Sequence, residues 1–107
     1  MNTEYQIILN TYPDQEQAKQ MANTLVDEGL AACVNIVPGL TSIYKWQGKR
    51  ESGTEVLLII KTRREHYEQI ESRIKSMHPY ELPEIISVPI ENGLKAYLDW
   101  IDNSTGI

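Results

Sequence analysis

Apolar residues along the chain recur at two spacings, one typical of strands and one typical of helices. Residues 5–9, Tyr-Gln-Ile-Ile-Leu, are rich in β-forming side chains and predict a first strand. A helix is predicted to follow, because Pro13 suits a first helical position and Gly29 suits the residue just past a helix end. Between them one apolar stripe has helical spacing and consists of Ala18, Met21, Ala22, Leu25 and Val26.

The middle of the chain predicts two more strands. Residues 31–37 form the second, which Pro38-Gly39 interrupts with a bulge or bend before it resumes through residues 41–47. Polar composition predicts a loop over residues 47–53. Residues 54–61 then form the third strand, which is rich in Val, Leu and Ile.

The C-terminal half continues with a helix, a strand and a helix. Thr62 and Glu65 have the spacing of a capping box, so a second helix is predicted to begin there. Its apolar stripe is Tyr67, Ile70, Ile74 and Met77. A fourth strand is predicted at residues 85–88, after which Asn92-Gly93 opens a last helix. The apolar side of this last helix carries Leu94, Tyr97, Leu98 and Ile101.

These elements predict one α+β domain over residues 1–107, with the ferredoxin-like order β-α-β-β-α-β and an added C-terminal helix. Two helices would cover one face of an antiparallel four-stranded sheet. We expect Val56, Leu58 and Ile60 to point to that face, within an apolar centre that indicates burial on both sides. The second strand is expected to turn Ala32, Val34 and Ile36 the same way, and Ala31, Cys33, Asn35 and Val37 the other way.

The opposite face of the sheet is also apolar. Glu55 and Lys61 flank Leu57 and Ile59 there, and a monomer rarely leaves such a patch in water. We therefore expect copies of the chain to pack against one another through this face. The alternative is that the terminal helix folds over it, although one helix would cover only part of a four-stranded sheet.

Composition narrows the range of partners. The chain carries a net charge of −5 and has a pI near 4.9, which argues against nucleic acid and anionic membrane surfaces. No apolar run approaches the roughly 20 residues of a membrane span, and the N-terminal Met-Asn-Thr-Glu-Tyr lacks the basic start and apolar core of a secretory signal. A single cysteine cannot form an internal disulfide, so we expect a cytoplasmic protein.

The most chemically varied segment is residues 78–84, His-Pro-Tyr-Glu-Leu-Pro-Glu. Its two prolines restrict the backbone, so its imidazole, phenol and carboxylates are held on a stiff joint between helix and strand. His78 is the stronger histidine candidate, with a helix-end interaction as the alternative, and His66 is expected at the surface. Met77, Cys33 and His78 are the soft ligands that copper prefers, although the spacing favours a buried structural role for Cys33 over a ligand role.

Catalytic motifs are missing from the sequence. It has no Gly-x-Ser-x-Gly elbow and no phosphate-binding P-loop, and Cys33 falls within a predicted strand rather than at a helix N-terminus, where thiols are activated. We therefore expect a protein that is not an enzyme. The alternative is a small hydrolase of acylphosphatase-like fold, but no glycine-rich phosphate loop with an arginine follows the first strand.

Several segments together have a recognisable order. They are Leu-Ala-Ala-Cys-Val-Asn-Ile at residues 30–36, Pro38-Gly39, Ser42-x-Tyr44-x-Trp46-x-Gly48, residues 55–62, residues 78–84 and Tyr97-Leu98-x-Trp100. In this order they resemble the CutA divalent-cation tolerance family, and the match runs over residues 11–101.

The resemblance implies a homotrimer of ferredoxin-like subunits, similar in build to PII signalling proteins, whose extended second and third strands wrap neighbouring subunits. Its implied function is divalent-cation tolerance, through a signalling module that binds a metal ion or small ligand in a cleft between subunits. Lys61 would supply a positive charge there and Glu84 a carboxylate for a cationic group. The expected cleft residues are Cys33, Trp46, Glu55, Lys61, Tyr80, Glu84 and Trp100.

The resemblance also bears on a metal. A bacterial member of the family holds copper through a cysteine on the first strand and two adjacent histidines, and the matching positions here are Asn10, Met77 and His78. His78 is thus the expected ligand for copper or another divalent cation, and methionine can bind Cu(I), whereas asparagine is a poor substitute for a thiolate. No cofactor is expected to be required for folding.

Overall fold

A computed structural model describes residues 4–106 of the chain. Residues 1–3, on which the prediction of a missing secretory signal partly depends, lie outside the described residues. The elements are β1 (Tyr5–Tyr12), α1 (Gln15–Asp27), β2 (Cys33–Trp46), β3 (Lys49–Arg63), a 3-10 turn (Arg64–His66), α2 (Tyr67–Met77), β4 (Ile85–Pro89) and α3 (Lys95–Ser104). Within residues 4–106, none of the helices combines the length and the hydrophobicity needed to cross a bilayer.

The four strands form one antiparallel sheet in the order β2-β3-β1-β4. This order brings the first and third strands together at the centre, as the ferredoxin-like arrangement requires, and the predicted α+β fold is confirmed. The main core lies between the sheet and helices α1 and α2. Val56, Leu58 and Ile60 point into it as predicted, because alternate residues of a strand face the same side.

Helix α1 begins at a side-chain cap and ends at a glycine. Asp14 is the N-cap, where its carboxylate accepts a hydrogen bond from the Gln17 N–H at 2.8 Å, so Pro13 precedes the cap and its predicted place inside the helix is wrong. Gly29 has φ +71° and follows the C-cap, as predicted. The N–H groups of Gly29 and Leu30 bond the carbonyls of Val26 and Leu25, which is the Schellman arrangement.

Strands β2 and β3 form a longer hairpin than the sequence predicts. Gln47 and Gly48 both have positive φ, 52° and 82°, which makes a two-residue turn of the type that suits twisted hairpins. The polar loop predicted over residues 47–53 is therefore wrong, since residues 49–53 belong to β3. Beyond the end of β1, residues 40–55 pair only with each other, and we call this segment the arm. The predicted bulge is confirmed by the register shift between Val37 and Leu40.

Two local predictions at the end of β3 are wrong for tertiary reasons. Thr62 stays in the strand, fully buried, and its hydroxyl donates to the Leu30 carbonyl at 2.6 Å instead of capping a helix. His66, expected at the surface, is partly buried, and its Nε2 lies 3.0 Å from the Thr105 carbonyl. Both side chains are used to hold distant segments together.

The predicted orientations of Ala31 and Ala32 are reversed. Ala31 packs in the main core, whereas Ala32 packs with Tyr5 and Ile101 beneath α3. Both alanines precede β2, so strand alternation does not extend to them. Val34 and Ile36 pack against the main core as predicted.

Helix α3 covers one end of the second face of the sheet. The Tyr5 hydroxyl donates to Asp102 at 2.8 Å, and Arg63 forms an ion pair with the same carboxylate. Burial alone would raise the pKa of Asp102, but the hydrogen bonds from Tyr5 and Arg63 hold that pKa below its usual value. Away from this end the face remains apolar, with Ile86 51% and Val88 46% exposed in the single chain. The terminal helix thus covers this face only in part.

Leu58→Ala is expected to lower the free energy of unfolding by about 3 kcal/mol, because it opens a cavity in a fully buried part of the core. Val26→Ala is the control, since that side chain is 43% exposed and the change should cost under about 0.5 kcal/mol. Urea unfolding measures both values. Equal losses in the two variants would contradict the placement of the core.

Candidate functional site

His78 joins the end of α2 to the end of β1. Its Nε2 lies 2.7 Å from the Thr11 carbonyl, and its Nδ1 accepts a hydrogen bond from the Tyr80 backbone N–H at 3.0 Å. Because Nδ1 is the acceptor, the neutral ring carries its proton on Nε2 and donates it to Thr11. One imidazole therefore fixes residues 78–84 against the sheet through both of its nitrogens.

Two tyrosine rings surround this imidazole. The Tyr12 and Tyr80 ring centroids lie 4.3 Å and 4.8 Å from that of His78. Burial lowers the pKa of His78, and the bond to Thr11 and the charge of Glu55 oppose this only in part. The neutral tautomer is thus the one that the fold favours.

Tyr80 connects the same loop to the base of the arm. Its hydroxyl donates to Oε2 of Glu55 at 2.7 Å. Burial, followed by this hydrogen bond, raises the pKa of Tyr80, so the phenol remains a proton donor. Glu55 lies where β1 ends and the arm begins, on the same face of β3 as Leu57.

A cavity of about 760 Å³ lies between the arm and residues 79–84, and we call it the arm groove. Four of the predicted cleft residues line it: Trp46, Glu55, Tyr80 and Glu84. Tyr44 and Glu81 also line the groove and were not among the predicted site residues. The alternation in Ser42-x-Tyr44-x-Trp46 could have indicated Tyr44, because residues two apart share one face of a strand.

The other predicted cleft residues lie at the far end of the sheet. Lys61 is directly opposite Cys33 in the register of β2 and β3, and its Nζ lies 5.9 Å from the centre of the Tyr97 ring. Tyr97 packs on Trp100 with ring centroids 5.4 Å apart. We call Lys61, Tyr97 and Trp100 the α3 shelf. In one chain the structure does not bring Cys33, Lys61 or Trp100 into the arm groove.

The positions that match a copper site have other roles in this chain. Asn10 is fully buried, and its Nδ2 donates to the Glu84 carbonyl at 2.9 Å, while its Oδ1 has no hydrogen-bond partner among residues 4–106. Met77 is 41% exposed, and both ring nitrogens of His78 are already engaged. In this arrangement the three side chains do not fit a copper centre, because an ion at His78 would have to displace Thr11 or Tyr80.

Potential metal ligands are not clustered elsewhere in residues 4–106 either. The part of the chain that the structure describes contains no group of three or more His, Cys, Asp or Glu side chains placed to hold a metal ion. The assignment of His78 as a metal ligand stays a prediction.

The sequence and the structure of this chain are similar to those of known proteins from one family. Residues 6–104 match the family model of the CutA1 divalent ion tolerance protein. The divalent-cation tolerance protein CutA of Thermus thermophilus is 48% identical over 101 residues, which cover 94% of this chain and 98% of that protein. The solved structure of the Thermus thermophilus divalent cation tolerance protein superposes with a TM-score of 0.93 at 48% identity and covers 95% of this chain and 99% of that one.

A plant relative is equally similar but longer. The chloroplastic protein CutA of Arabidopsis thaliana is 48% identical over 99 residues, which cover 92% of this chain. The match spans 54% of the plant protein, so this chain corresponds to about half of its length. None of these relatives is named as an enzyme.

The partly buried, neutral state of His78 predicts a pH dependence of stability. Because its pKa is lower in the folded chain, the unfolded chain binds the proton more readily. The stabilisation is complete above about pH 6.5 and is lost as the pH falls through the lowered folded pKa. In the His78→Asn variant the melting temperature should fall less steeply below pH 6.5. The His66→Asn variant is the control and should show the same fall as the parent protein. A slope that persists unchanged in His78→Asn would contradict this role.

Proposed function

The chain belongs to the CutA1 divalent ion tolerance protein family, and on that premise we propose that it supports divalent-cation tolerance as a homotrimeric binding and signalling module. Its ligand, a small molecule or a metal ion, would bind in clefts between subunits. The observation that carries the proposal is that the predicted cleft residues fall into two separate groups, one in the arm groove and one near the α3 shelf.

The second face of the sheet supports assembly. α3 covers only the end that carries Tyr5, and Leu57 and Ile59 lie on the same face as the exposed Ile86 and Val88. An apolar surface of this kind is stabilised when copies of the chain cover it, and closed symmetric oligomers do this with one repeated interface.

The charges of the arm groove and the α3 shelf support the proposal that these two groups meet at a subunit interface. The arm groove carries the carboxylates of Glu55, Glu81 and Glu84, and the α3 shelf carries the ammonium group of Lys61. Surfaces of opposite charge steer each other into register during association. A neighbour's shelf beside the groove would combine Trp46 and Tyr80 of one chain with Trp100 of the next.

The β1–α1 junction favours binding over hydrolysis. It consists of Pro13 and Asp14, and the Asp14 carboxylate already occupies the N-terminus of α1 through the Gln17 N–H. A phosphate group would meet a negative charge where a phosphate hydrolase needs glycine and arginine. We propose a cytoplasmic location as well, on the basis of the single free thiol of Cys33.

The oligomeric state tests the assembly. Light scattering should give three times the 12.3 kDa mass of one chain. Leu57→Glu should give a smaller particle, because it places a charge in the proposed interface, whereas Val26→Glu on the outer side of α1 should keep the trimer. Circular dichroism checks that both variants are folded. A monomeric parent protein would overturn the proposal.

A metal ion is the second form of the proposal, favoured by the adjacent Met77 and His78 and by the names of the relatives, and it requires the His78 ring to release Thr11 or Tyr80. If it is correct, His78→Asn should weaken Cu(II) binding at least about tenfold, since imidazole is the strongest ligand at this end of the sheet. His66→Asn is the control and should bind as the parent does. Equal affinities in titration calorimetry would remove His78 as a ligand and leave the small molecule.

A further inference from the structure

We propose that the arm groove binds a small organic cation, an ammonium group carried on an apolar body, in preference to a bare metal ion. This inference rests on the proposed function, which assigns ligand binding to the groove, and it specifies the chemical class of the ligand. It follows from the charge, the aromatic lining, the rigidity and the size of the groove.

The charge of the groove favours a cation. Glu55, Glu81 and Glu84 line it, and Lys45 is the one basic side chain among the described residues that does so. If Lys61 of a neighbouring copy approaches, three carboxylates still face two ammonium groups. A cationic ligand gains from this imbalance, whereas an anionic one is repelled.

The aromatic lining favours an organic cation over a metal ion. Tyr44, Trp46 and Tyr80 contribute rings to the same cavity, and Tyr44 and Trp46 remain substantially exposed in the single chain. The face of an aromatic ring attracts ammonium groups and also packs against their carbon atoms. A metal ion obtains its ligands from oxygen, nitrogen or sulfur atoms and makes no use of such rings.

One carboxylate of the groove, and the backbone that carries a second, are held in place before a ligand arrives. Glu55 accepts the Tyr80 hydroxyl through Oε2, which leaves Oε1 to accept from an ammonium group. The backbone of Glu84 is fixed by the buried Asn10, whose Nδ2 donates to its carbonyl. Because these groups are already ordered, less entropy is lost on binding.

The size of the groove points the same way. Its volume of about 760 Å³ lies within the range of about 300–1,000 Å³ that small-molecule sites occupy. The described residues also lack a group of three or more side chains placed for a metal ion. In the single chain the groove has room for an organic body with one positively charged end.

Three probes that share one body test the charge preference. n-Butylammonium chloride, n-butanol and sodium n-butyrate have the same four-carbon chain and differ in their head group. In titration calorimetry of the intact protein, we expect n-butylammonium to bind at least about tenfold more tightly than the alcohol, and butyrate not to bind. The inference is overturned if all three probes bind equally, or if none of them binds.

Variants then locate the site. Glu84→Gln and Glu55→Gln should each weaken n-butylammonium binding by roughly five- to tenfold, because each removes a charge-assisted hydrogen bond. Trp46→Leu should weaken it by about threefold. Glu91→Gln makes the same chemical change outside the groove and should leave the affinity unchanged.

The possible failures are distinguishable. A trimer that binds none of the probes overturns this inference and leaves the assembly intact, as expected if a neighbouring subunit fills the groove. Tight Zn²⁺ binding that is lost in Glu84→Gln, with no n-butylammonium binding, shows that the groove takes a bare ion. A protein that is monomeric in light scattering removes the proposed function itself, whatever the probes do.

Discussion

The register of β3 is the constraint on which the rest of the structure depends. Val56, Leu58 and Ile60 are buried against the helices, so a slip of one residue would turn Glu55 and Leu57 into the core. The cost of burying an unpaired carboxylate fixes the pairing. The same register sets where β1 ends, where the arm begins and therefore where Glu55 meets Tyr80.

Residues 78–84 are positioned by contacts with the neighbouring strands β1 and β3. His78 bonds the carbonyl of Thr11, which pairs with Leu57, and Tyr80 bonds Glu55, two positions before Leu57 in β3. The two prolines reduce the freedom of this segment in the unfolded chain, so less entropy is lost when it is ordered. A stiff loop that is held at two points can present carboxylates at fixed positions without being part of a helix or strand.

The sequence predicts those features that burial imposes. The continuous apolar run of β3 and the helical stripes of α1 and α2 identify the core, because apolar side chains at these spacings are the ones that folding buries. Residues 49–53, Lys-Arg-Glu-Ser-Gly, have the composition of a loop, yet they form a strand by pairing with β2 across the turn at Gln47 and Gly48. Backbone pairing in solvent leaves little trace in the pattern of hydrophobic residues. The helix cap predicted at Thr62 is wrong for a related reason, since the Thr62 hydroxyl donates to the carbonyl of Leu30, which is distant in sequence.

The residues that line the candidate site could be predicted, but their separation into two distant groups within one chain could not. The family resemblance, together with the residue types, singles out Trp46, Glu55, Tyr80 and Glu84, and the fold brings these four together. Glu55 and Lys61 are six residues apart on one strand, a separation of about 20 Å, so a single chain cannot place both beside one small ligand.

The arm lies apart from the packing that stabilises the fold. Tyr44 and Trp46 lie on a hairpin outside the main core, so substitutions there change the lining of the cavity with little effect on the packing between sheet and helices. Over evolutionary time, such a scaffold can acquire new ligand preferences while its stability is maintained elsewhere. Homologues that share this fold can therefore differ in what they recognise, and the hairpin is the region in which that divergence should be concentrated.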